Sequence, residues 1–184
     1  FIIGTGLGYG ASSIELQADG KILVGGRLIS YQEQTTINDL VRLNTDGSID
    51  ATFSTSDYFG GEVKIIHLQS DGKVLVGGNF ISNQGEAQCG LTRLDANGTK
   101  DSNFSTGNGT SFGFNGSAFS ILSLPNGKTL VGGAFNFYNG LPHNNLIMLN
   151  DDGSLDTSFN IGTGFNEAVS SLVLQPDGKI IVGG

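Results

Sequence analysis

Four segments of the chain are near copies of one another: ADGKILVGG ending at Gly26, SDGKVLVGG at Gly78, PNGKTLVGG at Gly133 and PDGKIIVGG at Gly184. Their turn glycines, Gly20, Gly72, Gly127 and Gly178, are spaced 52, 55 and 51 residues apart. A second motif interleaves with the first. It reads LVRLNTDGSIDATF from Leu40, LTRLDANGTKDSNF from Leu91 and LIMLNDDGSLDTSF from Leu146. FIIGTG at Phe1 is echoed by FNIGTG at Phe159, so one register spans residues 1–184. A unit of this size cannot bury an apolar face alone. It must stack on its neighbours to build a core.

Each unit reads as strands. Ile14 and Leu16, Ile66 and Leu68, and Leu172 and Leu174 alternate with other residues, the pattern of a strand with one buried face. An Asp-Gly or Asn-Gly pair follows, which predicts a two-residue type I′ hairpin. The β-branched run after it, as in KILVGG, predicts a buried strand, and its Gly-Gly a bulge or a close backbone approach. The LVRL segment, a second Asp-Gly turn and a short strand ending at Phe53 complete the unit. The expectation is all-β: four-stranded antiparallel blades of a β-propeller, about 50 residues each, as three full repeats with partial repeats at both ends. No stretch keeps a helical apolar period.

Composition narrows function more than fold. Net charge is −8, and nine Lys and Arg residues are too few for a broad nucleic-acid face. No run of 18 apolar residues predicts membrane insertion. Cys89 is the single cysteine, so no internal disulfide is possible.

LQPDGKIIVGG at Leu174, together with the LxRLNxDGSxDxxF pattern, resembles the delta-60 repeat, a β-propeller family of bacterial proteins without an assigned biochemical function. The resemblance implies a large, multi-blade, extracellular, cell-surface or virion-associated protein. Three full repeats fall short of the roughly four to eight blades usual in a propeller, so the rest of the same propeller, or copies of the chain, is expected to close the ring. Met148 stands where the first two blades carry Arg42 and Arg93, which argues against any role needing an Arg in every blade.

The chemistry-bearing candidates are few. The second turns place Asp46 and Asp50, Asp95 and Asp101, and Asp152 and Asp156 in a pattern that partly matches a calcium loop. That loop's first ligand is missing, since Arg42, Arg93 and Met148 occupy its place. Plain turn chemistry accounts for the same residues, so no cofactor is expected and calcium is the alternative. His67 and His143 have no evident partners, and no G-x-S-x-G elbow occurs. GTGLGYG at Gly4 lacks the following helix that a phosphate loop requires. The connections 27–39, 79–90 and 134–145 vary while their flanking strands repeat. Tyr31, Tyr138 and His143 on them are the ligand-binding candidates, whereas Leu28, Phe80 and Phe135 are expected to pack between blades. The reading is a non-enzymatic binding or structural module with a protein or glycan partner. The alternatives are a calcium-dependent adhesin and a carbohydrate-active enzyme.

Overall fold

The computed structural model describes residues 7–8, 10–31, 39–55, 59–80, 90–106 and 114–184. Cys89, most of the first glycine-rich stretch and the variable segments 32–38 and 81–89 lie outside them. The described residues form antiparallel sheets and contain no helix.

Three sheets share one plan. The first pairs Ala11–Leu16 with Ile22–Gly26 and that strand with Leu40–Leu43. The second orders Glu62–Leu68, Val74–Asn79 and Leu91–Leu94 in the same way. The third orders Ser117–Ser123, Thr129–Ala134 and Leu146–Leu149. A fourth unit contributes the hairpin Ser171–Leu174 with Ile180–Gly183. The chain is built of β-propeller blades.

The fourth position of each blade is slight. It consists of one bridge: Leu43 to Ile49, Leu94 to Lys100, or Leu149 to Leu155. The reason is local. After the bridge Asp50 starts a turn, closed by the Phe53 amide donating to the Asp50 carbonyl at 3.1 Å. Asp101 with Phe104 and Asp156 with Phe159 do the same.

The first turns are not two-residue type I′ loops. The Gln17 amide donates to Lys21 O at 2.8 Å and the Gly20 amide to Gln17 O at 2.9 Å, enclosing Ala18, Asp19 and Gly20. Only the glycine takes positive φ, at 82°. This is a type I turn completed by a left-handed glycine, which restores the strand twist that a type I turn alone would splay. Asp19 is useful for its oxygen, which accepts the Lys21 amide at 3.1 Å. A two-residue loop with both φ positive does occur, at Asn139-Gly140 between Phe137–Tyr138 and Leu141–Pro142.

Blades meet through the Gly-Gly pairs. A Cβ on Gly25 would lie 2.5 Å from Val63 and 2.9 Å from Ile66 of the next blade. On Gly132 it would lie 2.5 Å from Val169. The missing side chain is thus the socket for the next blade's first strand. Ile66 is fully buried there, and Leu28, Phe80 and Phe135 are buried as expected. The alternating face of the first strand is different: Ile14 is 65% exposed, because burial at that position is supplied by a preceding blade. Ile181 is exposed for the converse reason, where Leu75 and Leu130 of the inner blades are covered by the blade that follows them.

Candidate functional site

The turn carboxylates form an ion-paired cluster in each of the first three blades. In the first blade Asp50 Oδ2 accepts from Lys21 Nζ and from Arg42 Nε, both at 2.8 Å. Its Oδ1 accepts from the Thr52 hydroxyl at 2.6 Å. The second blade repeats this with Asp101, Lys73 at 2.6 Å and Arg93 at 2.8 Å. In the third, Asp156 has Lys128 at 2.5 Å and Met148 in place of the arginine. The Lys of the first turn therefore clamps a blade's first hairpin to its second.

The arginine extends the clamp to the next blade. Arg42 Nη1 donates to Ala96 O at 2.6 Å, and Arg93 Nη1 to Asp151 O at 2.8 Å. Each guanidinium also covers a ring, Phe53 at 4.7 Å and Phe104 at 4.8 Å. Asp46 and Asp152 accept the amides and hydroxyls of Ser48 and Ser154. Asp95 lies 3.9 Å from Lys73. The calcium candidates thus serve as turn braces and ion-pair partners. Asp50 and Asp101 already carry two cations each, which a metal would have to displace. Excess calcium is expected to leave the melting temperature unchanged; a rise would assign the turns a metal.

These partners set the acidities. Burial pushes the Asp101 carboxyl up, but bonds from Lys73, the Asn103 amide and Arg93 outweigh it and hold the group at about 2. Lys128 and Ser158 lower Asp156 to about 2. Asp50 is likewise held well below the usual range: burial opposes the shift, and Lys21, Thr52 and Arg42 overcome it. Groups depressed on folding contribute stability that is complete above the unfolded carboxylate range and is lost as pH falls through the folded value. Melting temperature should therefore fall as pH drops from about 4 to about 2, and less steeply in Asp101→Asn. An identical pH profile for that variant would remove Asp101 from the account.

Two of the three ligand candidates are core residues. Tyr31 is 1% exposed and Tyr138 fully buried. Their hydroxyls donate to Gly47 O and Gly153 O, each at 2.7 Å, so each tyrosine pins its blade's second turn from inside. An aromatic on a variable connection reads as a contact residue, but both of these rings turn inward onto their own blade. Tyr138→Phe is expected to cost about 1 kcal/mol by leaving a buried carbonyl without its donor; a denaturant melt measures it, and an unchanged midpoint would refute the bond's importance.

His143 stays partly exposed, its amide donating to Asn136 O at 2.9 Å. His67 does have a partner: its Nε2 lies 2.9 Å from Ser123 Oγ of the next blade. Burial lowers its pKa. No signal in the sequence could pair residues 56 positions apart.

Among the described residues, two matched clefts lie at the opposite end of the blades from the tight turns. One, of about 410 Å³, is lined by Arg27, Asp39, Glu62 and Asn79 between the first two blades. The other, of about 340 Å³, is lined by Asn115, Asn136, Asn145, Asn166 and Glu167 between the third blade and the fourth. Sequence reading passed over both, because each forms only where two blades meet.

Residues 17–53, 69–104 and 124–159, more than half of the chain, match the family described as domain of unknown function (DUF5122) beta-propeller. The chain belongs to this family. Each match begins at the end of a blade's first strand and closes on Phe53, Phe104 or Phe159, so it contains the whole Lys–Asp clamp. A search of curated protein sequences finds no match.

The chain is similar to several solved structures, the first of which shares its fold. A glucose dehydrogenase superposes with a TM-score of 0.54 at 13% identity, over 92% of this chain and 56% of that one. A protein of unknown function from Bacteroides caccae gives 0.49 at 14%, over 84% and 51%. A catalytically inactive virginiamycin B lyase from Staphylococcus aureus, with Quinupristin, gives 0.48 at 14%, over 94% and 48%. The chain spans about half the length of these structures.

Proposed function

We propose that this DUF5122 chain is a non-enzymatic binding or structural module of a larger extracellular or surface protein, of the delta-60 type, presenting its connections to a protein or glycan partner. One observation carries the reading: the two ends of the blades differ in kind. At the tight-turn end the carboxylates Asp50, Asp101 and Asp156 are each engaged by a lysine, and the first two by an arginine as well. A carboxylate so engaged is a poor proton carrier, since its pKa is far from neutral. The other end carries the clefts, and the connection of the third blade exposes Phe137 and Leu141. A rigid scaffold with variable connections suits recognition.

The test is an array of glycans and surface proteins probed with the chain, with every retained ligand followed for chemical change. Saturable retention of an unaltered ligand is expected. A ligand cleaved or otherwise transformed would overturn the non-enzymatic reading.

A further inference from the structure

The geometry points to the cleft between the third and fourth blades as a binding site for a neutral oligosaccharide; this deepens the binding reading above and rests on it. The argument begins from the two matched clefts. They occupy equivalent places, so their backbones are alike and their side chains can be compared position by position. Where the first cleft has Arg27, Asp39 and Glu62, the other has Ala134, Asn145 and Ala168. Where the first has Ile29 and Gly60, the other has Asn136 and Asn166. Three charges are replaced by small or amide groups and two further amides are added, while Glu167 stands where the first cleft has Gly61.

The amides divide into two layers. Asn145 is buried and fully used: its Oδ1 accepts the Phe135 amide at 3.0 Å and its Nδ2 donates to Phe165 O at 2.8 Å. Asn115 Oδ1 accepts the amides of Asn136 and Phe137 at 2.9 and 3.0 Å. These two fix the floor. Asn136, Asn166 and Glu167 are exposed, and their side chains make no hydrogen bond to another described residue. They are free to meet a ligand at the rim.

Between these groups the lining is small and apolar, with Ala134 and Ala168 on either side. A sugar presents vicinal hydroxyls, which donate and accept at once, and C–H faces that are apolar. An amide supplies one acceptor and two donors, matching the first. Ala134 and Ala168 meet the second without a desolvated polar group. A charged ligand would find one carboxylate, Glu167, and no cation lining this cleft. The space of about 340 Å³ holds one or two sugar rings.

The whole chain is titrated against immobilised neutral oligosaccharides of the gluco, manno, galacto and N-acetylglucosamine series, beside anionic glycans and a protein array. Retention of a neutral series is expected, with affinity falling at least about tenfold in Asn136→Ala/Asn166→Ala. Arg27→Ala, in the other cleft, should leave it unchanged, and thermal melts confirm that each variant is folded. Neutral-glycan binding that survives the amide double variant overturns the cleft but spares the binding reading. Retention of anionic glycans or proteins alone overturns the neutral ligand and likewise spares it. No retention of any probe overturns both.

Discussion

Asp101→Ala is expected to lower stability by about 3 kcal/mol, near the lower bound for stranding one partner of a buried ion pair. The Asp101 side chain is 2% exposed and that of Arg93 3%, so neither charge can turn to water when the other is lost. Arg93 would keep its contact to Asp151 at 2.7 Å, but that carboxylate is 76% exposed and compensates little. Lys73 is more exposed and can find solvent. For a chain of this length the loss lowers the melting temperature by roughly 10 °C. Two comparisons isolate the cause. Arg93→Met/Asp101→Ala should be milder than Asp101→Ala alone, because no buried guanidinium remains unpaired. Asp156→Ala should also be milder, since the third blade has Met148 and no arginine to strand. Equal melting points for Asp101→Ala and the double variant would sink the explanation.

Gly78→Ala is expected to cost about as much, roughly 3 kcal/mol or more, for a steric reason. A Cβ there would lie 2.2 Å from Glu62 O and 2.9 Å from Lys64 N, both backbone atoms of the paired strand at its bulge. Backbone cannot step aside without breaking the ladder. Gly77→Ala meets Ile65 Cγ2 at 2.7 Å and Ala118 Cβ at 3.0 Å; the isoleucine can turn, while the alanine moves only with its strand, so about 2 kcal/mol is expected. Gly127→Ala finds nothing within 4 Å and bears only the cost of a φ of +81°, about 1 kcal/mol. Chemical denaturation of the three variants should rank them 78, 77, 127. A mildest Gly78→Ala would show that the bulge opens freely and refute the close-approach account.

The repeat, the all-β class and the blade plan were legible in the chain because each depends on near neighbours in sequence. A left-handed glycine, an Asp beside it and a β-branched run act within a few residues. Even the misjudged turn shows this: Asp19-Gly20 announced a hairpin, and only the pairing of Gln17 with Lys21 decided that the loop has three residues. The candidate site was far less legible. Tyr31 and Tyr138 sit on variable connections, and only the fold turned their rings inward. The Asp50 and Asp101 positions read as possible calcium ligands because the lysines that claim them lie 29 and 28 residues away.

What the sequence determined by itself is the unit: its length, its two turns, and which alternate residues share a face. What only the tertiary structure decided is what each face meets. Ile14 and Ile66 hold the same place in the same motif, yet one is exposed and the other buried. The physical reason is that a strand's alternation is set by its own pleat, whereas burial needs a second surface. For this strand that surface belongs to the preceding blade, some 50 residues back along the chain, and the clefts where this protein's recognition is proposed to lie likewise form between blades.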